Sequence, residues 1–258
     1  MKANLYYGKK DIRYEEMEIP EITSEEILIK MEACGLCGTD IQKILEGTAK
    51  APVVLGHEVV GKVVKTGENV NKFSIGDRVI TAIHVPCFTC HYCNKGHYTM
   101  CDQFRKTNIE PGGFAEYIKI PEPHVKHLVH KISSNISNEE ATLAEPIACC
   151  IHGLKAADIQ ADDTVMIMGA GQIGMIHAQL ASLKGAFKVI ITDISDFKLN
   201  KAKELGVQHT INVLNENLQE KINEITNNEG IDIIIIAAGN SSLLEDAMKL
   251  VRKGGKII

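Results

Sequence analysis

The feature that most constrains the fold lies in the second half of the chain, where a strand, a glycine turn, a helix and a second strand follow one another. This stretch begins at Thr164 and runs TVMIMGAGQIGMIHAQLASLKGAFKVIITDIS. Apolar strands that alternate with helices require a parallel sheet with crossover connections. Further strands at HTIN and DIIIIAA, separated by helical stretches, continue the alternation. The second half is therefore predicted to be an α/β domain with a doubly wound parallel sheet.

The glycine turn of this stretch has the pattern G-x-G-x-x-G, formed by Gly169, Gly171 and Gly174. Between a strand and a helix, such glycines allow a tight turn and a close approach of the backbone to a pyrophosphate. Asp193 ends the next strand nineteen residues after Gly174, and no arginine follows it directly. A carboxylate there binds ribose hydroxyls and repels a 2′-phosphate, which favours NAD over NADP. Ile173 within the turn is a further predicted cofactor contact, and helix capping is an alternative role for Asp193.

The first half of the chain has a different pattern of apolar runs and turns. Short β-like runs such as EILIKMEACG, EVVGKVVKTG, DRVITAIHV and FAEYIKI are separated by glycine turns. Strand-length apolar runs at such short intervals indicate a small, mostly antiparallel β domain. We therefore predict two domains, residues 1–150 and residues 151–258.

Four cysteines in the first half are spaced C-x2-C-x2-C-x7-C. They are Cys87, Cys90, Cys93 and Cys101. Two-residue spacings let a turn wrap its sulfurs around one tetrahedral Zn²⁺, and four protein ligands leave no open position for chemistry. Disulfides and an iron–sulfur cluster are the alternatives. The predicted role is a closed structural zinc site.

A second set of metal-ligand types lies outside that cluster. Cys37 is in EACGLCGTD, His57 and Glu58 are in VLGHEVVG, and Glu145 is in LAEPIACC. A thiolate, an imidazole and a carboxylate from distant segments are suited to a zinc site with an open position. From the residues alone, Cys37 can equally be a buried thiol, and Glu145 can be a charge at a helix start.

The order and spacing of several motifs resemble the zinc-dependent medium-chain alcohol and polyol dehydrogenases over essentially the whole chain. These motifs are CGLCGTD, GHEVVGKVVKTGENVNKFSIGDRV, the four-cysteine segment, GGFAEY, LAEP and GAGQIG. The resemblance implies a GroES-like β-rich catalytic domain with a structural zinc lobe, followed by a Rossmann domain. It also implies two zinc ions per chain and NAD as cofactors.

The resemblance further implies individual roles near the catalytic zinc. Cys37 and His57 match zinc ligands, and Glu145 is at the position where the sorbitol dehydrogenase branch uses glutamate. Glu58 matches a neighbouring carboxylate that approaches or replaces a ligand. Asp40 matches the group that orients the histidine ligand.

Other positions match the proton path and the substrate and cofactor contacts of the family. Thr39 matches the family's proton-relay hydroxyl, with a turn-stabilising hydroxyl as the alternative role. Gln42 departs from the histidine that many relatives use as a further proton carrier. Lys43 lies close to a substrate-facing position of polyol relatives. Lys198 matches a ribose-side contact, or is an ordinary exposed helix lysine.

Composition argues against several classes of partner. The formal net charge is −5, and the lysines and arginines are dispersed, so no basic patch indicates nucleic-acid binding. No apolar run reaches membrane-spanning length and the N-terminus lacks a secretory leader. We expect a soluble, cytoplasmic protein whose partner is a small alcohol or polyol.

The remaining expectations concern the end of the sequence and the function of the protein. MKLVRKGGKII indicates a helix, a glycine turn and the start of a fifth parallel strand, and the family's chains continue for several dozen residues further, so we expect a truncated Rossmann domain. At full length the family suggests a homodimer or homotetramer. The expected activity is zinc- and NAD-dependent oxidation of a polyol or related secondary alcohol to a ketone. A dehydrogenase specific for threonine or simple alcohols, and a non-catalytic zinc-stabilised nucleotide-binding remnant, are the alternatives.

Overall fold

The chain divides into two units, Met1–Glu145 and Pro146–Ile258. The computed structural model describes all residues from Met1 to Ile258. The sequence-based boundary was after residue 150; the division in the structure falls a few residues earlier, within the first turn of a helix.

The first unit is built mainly of β-strands. Its strands are β1 (Lys2–Gly8), β2 (Asp11–Glu16), β3 (Ile27–Gly35), β4 (Val53–Val54), β5 (Glu58–Thr66), β6 (Arg78–Thr81), β7 (Tyr117–Ile120) and β8 (Val129–Lys131). Its helices are α1 (Gly38–Glu46), α2 (His91–Asn94), α3 (Glu122–His127) and α4 (Asn138–Thr142), and α5 (Ala144–Ala157) begins at its end. Short 3₁₀ turns cover Tyr98–Met100 and Phe104–Lys106.

Two antiparallel sheets organise this unit. One has the order β7-β3-β5-β6-β8 and the other the order β2-β1-β4. Alternate residues of the larger sheet, with Phe73 and Ile109 from the connections, form its buried core. The register between β3 and β5 shifts twice, and the second shift, between Met31 and Ala33, comes just before the end of β3. Such bulges bend a strand and re-aim the residues that follow it.

The second unit alternates strands and helices. Its elements are β9 (Thr164–Met168), α6 (Gln172–Leu183), β10 (Lys188–Asp193), α7 (Asp196–Glu204), β11 (His209–Asn212), α8 (Leu218–Thr226), β12 (Ile231–Ile236), α9 (Leu243–Leu250) and β13 (Val251–Ile257). All strands are parallel, in the order β11-β10-β9-β12-β13. The predicted succession of a mostly antiparallel β domain and a parallel α/β domain is confirmed.

The central strands of this sheet, β9, β10 and β12, are buried on both faces. Val165 and Ile167 of β9 pack in one core with α6 and α7, whereas Met166 and Met168 of the same strand pack in another with α8 and α9. Successive strand residues point to opposite faces, so a continuous apolar run such as VMIM supplies both cores. This arrangement explains why β9 and β12 are almost entirely hydrophobic and confirms the doubly wound sheet.

The segment after α9 differs in detail from the prediction. The helix ends at Leu250 and β13 begins at once, so the glycines lie inside the strand instead of in a turn before it. The partner of Ile231 is Val251, but the partner of Ile233 is Lys256, which makes Gly254 and Gly255 part of an irregularity in the pairing. None of the helices is long and apolar enough to cross a lipid bilayer.

Candidate metal centres and cofactor site

The pairing of β3 with β5 explains how residues twenty positions apart meet. In this antiparallel pair, Gly35 at the end of β3 lies opposite Glu58 at the start of β5. Cys37 therefore follows one strand, and His57 precedes the other, at the same end of the pair. The two segments converge because the sheet brings their ends together.

Three candidate ligands form a close group at this point. The Sγ of Cys37, a ring nitrogen of His57 and a carboxylate oxygen of Glu58 all lie within 4.8 Å of one another. Glu58 is only 4% exposed, and burial raises the pKa of its carboxyl group. Thiolate, imidazole and carboxylate are the donor types that Zn²⁺ takes in proteins, so the group has the right chemistry for a zinc ion.

Asp40 fixes this group from the buried side. Cys37 is the N-cap of α1, and Asp40 in its first turn accepts the N–H of Cys37 through Oδ2 at 3.3 Å. Its Oδ1 accepts the N–H of Gly56 at 3.3 Å and lies 3.4 Å from Nδ1 of His57. The bond to Asp40 raises the pKa of His57 to about 9. With Nδ1 held in this way, Nε2 is the ring nitrogen left to bind a metal.

Gly35 is a functional position that the sequence reasoning missed. A Cβ atom at this residue would collide with the carboxylate of Glu58, which folds over the glycine. Only a residue without a side chain lets Glu58 stay in place beside Cys37. The signal is visible in the sequence only after the strand register is known, because Gly35 and Glu58 are cross-strand partners.

Glu145, which was also predicted as a zinc ligand, is not among the three side chains that lie within 4.8 Å of one another. Glu145 is half-buried at the start of α5, and its negative charge contributes to raising the pKa of Glu58. Thr39 is exposed in the first turn of α1, and its backbone N–H donates to the Sγ of Cys37 at 3.5 Å. The Thr39 hydroxyl forms no hydrogen bond that stabilises the turn.

The helix that carries Asp40 also lines a cavity of about 260 Å³ beside His57. Lys43 reaches this cavity from α1, whereas Gln42 on the exposed side of the helix donates to Glu46, with Nε2 3.2 Å from each carboxylate oxygen. Lys50 and Asn108 line the same cavity and were not identified from the sequence. Each comes from a separate loop, and no motif marks either residue.

The four-cysteine segment forms a second, separate group. The sulfurs of Cys87, Cys90, Cys93 and Cys101 lie within 4.8 Å of one another. Cys93 Sγ is 3.5 Å from that of Cys90 and 3.9 Å from that of Cys87. A disulfide needs about 2.05 Å, whereas four sulfurs at 2.3 Å from a tetrahedral zinc are about 3.8 Å apart. The spacing fits a zinc ion with four thiolate ligands.

Backbone donors favour negative charge on this lobe. The N–H of Cys90 donates to the Sγ of Cys87 at 3.3 Å, and the N–H of Cys87 donates to that of Cys101 at 3.3 Å. Hydrogen bonds from Thr89 and Cys90 lower the pKa of Cys87 to about 6, whereas burial raises the pKa of Cys93 to about 12. A divalent cation is the partner that allows all four sulfurs to be ionised together.

Glycine occurs at the three positions of this turn for different structural reasons. Gly169 has a φ of +110°, and a Cβ there would lie 2.9 Å from the carbonyl oxygen of Ala237. A Cβ at Gly174 would collide with the carbonyl oxygen of Gly169. A Cβ at Gly171, the N-cap of α6, would meet no protein atom within 4 Å. The fold itself requires the first and third glycines, whereas the second leaves open space at a helix N-terminus, where a phosphate fits.

Asp193 connects the glycine turn to the end of β10. Its Oδ2 accepts the N–H of Ala170 at 2.8 Å, and its Oδ1 accepts the N–H of Ser195 at 2.9 Å. Burial opposes ionisation, but these donors and the Lys198 ammonium group, 3.6 Å away, hold the pKa of Asp193 below its ordinary value. Ser195 occupies the cap position of α7, so the helix-cap alternative for Asp193 does not hold. Ile173, in the first turn of α6, is 38% exposed.

Comparison with known families finds two matches along the chain. Residues 23–132 match the alcohol dehydrogenase GroES-like domain, and residues 173–258 match the zinc-binding dehydrogenase domain. The first contains the Cys37, His57 and Glu58 group and the cysteine lobe, and the second begins within the glycine turn.

Individual relatives cover the whole chain. The sequence is 35% identical to sorbitol dehydrogenase of Bacillus subtilis over 264 residues, which are 100% of this chain and 74% of that protein. It is 34% identical to L-threonine 3-dehydrogenase of Alteromonas mediterranea, over 97% of this chain and 74% of that protein. Among solved structures, galactitol-1-phosphate dehydrogenase from Escherichia coli is similar with a TM-score of 0.88 and 31% identity, over 100% of this chain and 74% of that one.

Proposed function

Because the chain belongs to the zinc-binding dehydrogenases with an alcohol dehydrogenase GroES-like domain, we propose that it transfers a hydride between a polyol, or a related secondary alcohol, and NAD. The product of the oxidation is a ketone. The observation that carries the proposal is the group formed by Cys37, His57 and Glu58 at the paired ends of β3 and β5. We assign these residues and Glu145 to the catalytic zinc.

The chemistry of the metal sets what the surrounding residues must do. A zinc ion in this group would act as a Lewis acid on the oxygen of the substrate and favour its deprotonated form at neutral pH. Asp40 holds His57 by Nδ1 and so keeps the other ring nitrogen directed to the metal. The Thr39 hydroxyl, exposed next to Cys37, is the group we assign to carry the hydroxyl proton away from the substrate.

The second unit supplies the cofactor site of the proposal. When bound, NAD would accept the hydride from the carbinol carbon. Gly171 and the N-terminus of α6 would hold the pyrophosphate, and Gly169 and Gly174 shape the turn that leaves this space open. Asp193 presents an ionised carboxylate to the ribose, and Lys198 and Ile173 border the same site. The negative charge of Asp193 is what supports NAD over NADP.

The cysteine lobe has a structural role in this proposal. Cys87, Cys90, Cys93 and Cys101 fill all four positions of a tetrahedral zinc and leave none for a substrate. Four reduced sulfurs require a reducing compartment, which supports a cytoplasmic location.

The choice of a polyol rests on Glu145 and on the relatives. Glutamate at this position is the pattern of the sorbitol dehydrogenase branch, and relatives named for sorbitol and for erythritol/L-threitol match the chain. A threonine-oxidising activity is the second candidate, because relatives named L-threonine 3-dehydrogenase match it at similar identity.

The test combines metal content with turnover. We expect two zinc ions per chain by mass spectrometry of the acid-released metal. NAD reduction, followed by the absorbance of reduced nicotinamide, should be faster with a polyol panel than with L-threonine or simple primary alcohols. The variant Cys37→Ala should retain one zinc ion per chain and lose turnover.

Two results would reject the proposal in different ways. One tightly held zinc and no turnover with any alcohol would identify a zinc-stabilised nucleotide-binding protein without catalysis. Undiminished turnover in Cys37→Ala would exclude the proposed catalytic zinc. The variant Cys149→Ser, at an exposed cysteine of α5, is the matched control and should retain both ions.

A further inference from the structure

The cavity beside His57 has polar groups that the proposed hydride transfer does not use. Its lining includes Asp40, His57, Lys43, Lys50 and Asn108. Its volume of about 260 Å³ is below the range of about 300–1,000 Å³ for drug-sized ligands. The space suits one small molecule.

The two lysines of this cavity bring charge that no protein group neutralises. Neither Lys43 nor Lys50 forms an ion pair or a side-chain hydrogen bond. Glu46, three residues after Lys43 on the same helix, instead receives both contacts of the Gln42 amide. Lys43 is half-buried and Lys50 is exposed.

The other polar groups of the cavity leave its positive charge unbalanced. Asp40 is the only carboxylate in the lining, and its oxygens are occupied by His57 and by the N–H groups of Cys37 and Gly56. The side-chain oxygen of Asn108 accepts the N–H of Ile109 at 2.9 Å, which leaves its NH₂ group as a donor. The lining therefore contains two unpaired lysines and an amide donor next to His57.

We propose that the substrate is a polyol carrying a phosphate monoester, with the phosphate held by Lys43, Lys50 and Asn108. A phosphate monoester has a charge of about −1.5 to −2 at pH 7, which two lysines can balance. A carboxylate carries a single charge and leaves one lysine without a partner. The inference rests on the proposed function, since it places the phosphate at one end of the molecule whose carbinol is oxidised beside His57.

The test compares one polyol with and without its phosphate. In the zinc-loaded protein, kcat/KM for sorbitol 6-phosphate should exceed kcat/KM for sorbitol by about 10- to 100-fold, the factor expected for hydrogen bonds to a charged group. Lys43→Gln should lower this ratio about tenfold or more, and Lys43→Arg should keep most of it. The ratio should also fall as salt is added, because screening weakens the attraction.

A matched control and a second readout make the test decisive. Lys65→Gln changes an exposed, unpaired lysine at the far end of β5 and should leave the ratio unchanged. Titration calorimetry with sorbitol 6-phosphate measures binding without turnover. If Lys43-dependent binding is present but no alcohol is oxidised, the lysines bind a phosphate ester as inferred, and it is the proposed function that fails.

Three outcomes overturn the inference. They are equal kcat/KM for the two polyols, an equal effect of Lys43→Gln and Lys65→Gln on the ratio, and absence of calorimetric binding. A gain with gluconate in place of the phosphate ester would assign the lysines to a carboxylate and also reject the phosphate.

Discussion

At the scale of single residues, the glycines of the turn before α6 make a direct test of the cofactor site. Gly171→Ala adds a Cβ where no protein atom lies within 4 Å, and its φ of −75° suits alanine, so the free energy of unfolding should change little. The same Cβ occupies the space that we assign to the pyrophosphate. We expect NAD affinity to fall about tenfold or more, measured by titration calorimetry.

Gly174→Ala is the comparison variant. Its Cβ would collide with the carbonyl oxygen of Gly169, so thermal unfolding should show a loss of about 2 kcal/mol or more. If Gly171→Ala binds NAD as tightly as the parent protein, no phosphate approaches the turn at that residue.

Asp40 is the residue through which the orientation of His57 can be tested. Asp40→Asn keeps the size of the side chain and one of the two oxygens that accept the N–H groups of Cys37 and Gly56, but it removes the charge that favours a protonated His57. In the metal-free variant, the pKa of His57 should fall from about 9 toward its ordinary value, as measured by NMR titration. Zinc affinity should drop about 10- to 100-fold, the usual effect of losing a group that orients a metal ligand.

The control for this variant is Asp77→Asn. Asp77 accepts the N–H of Ser74 and pairs with Lys131, so it has a comparable structural role away from Cys37. Zinc affinity equal in the two variants would mean that Asp40 acts only on the fold.

The same residues mark what the sequence could and could not predict about the site. Cys37 and His57 were identified because CGLCGTD and VLGHEVVG resemble the motifs of a known family; from the residues alone, Cys37 could also be a buried thiol. Gly35 could not be identified in this way, because its role depends on which residue of β5 lies opposite it in the sheet. Lys50 and Asn108 were missed because each loop contributes a single common residue to the cavity, and only the fold brings them together.

At the scale of elements, the cysteine lobe has little secondary structure to stabilise it. It contains only the four-residue helix α2 and two three-residue turns. Helices this short are not stable alone, so we expect a bound metal to supply much of the local stability. Cys93→Ser should remove one zinc ion and make residues 87–106 susceptible to limited proteolysis.

The location of the cleavage decides this prediction. The β3–β5 pair should stay resistant, and Cys149→Ser should behave as the parent protein. An intact lobe in Cys93→Ser that has lost its zinc would show that packing alone holds the segment.

The elements themselves were predicted more reliably than their junctions. The alternation of apolar runs and helical stretches specifies a parallel sheet because few other arrangements bury the apolar strands and the apolar faces of the helices together. The glycines after α9 misled the prediction, since Gly254 and Gly255 lie within β13. A Cβ at Gly255 would lie 2.8 Å from the carbonyl oxygen of Asp232, so the close approach of the neighbouring strand requires this glycine. That requirement is set by the partner strand and is absent from the local sequence.

At the scale of the whole molecule, each unit has hydrophobic cores of its own. The metal-ligand groups lie in the first unit, and the glycine turn and Asp193 lie in the second. A ligand stabilises the state that binds it, so each ligand should mainly protect its own unit. We therefore expect hydrogen exchange to separate the two effects.

In this experiment, zinc is removed with a chelator, or NAD is added, and amide exchange is followed by mass spectrometry. Chelation should speed exchange in the segment 85–107 and at the adjoining ends of β3 and β5, while β9 and β10 keep their protection. Saturating NAD should slow exchange around the glycine turn and the end of β10. At a hundredfold excess over its dissociation constant, the free energy of opening of these segments should rise by up to about 2.7 kcal/mol. If chelation instead released β9 and β10 to the same extent, the two units would unfold as one cooperative body. Local stabilisation by each ligand would then be excluded.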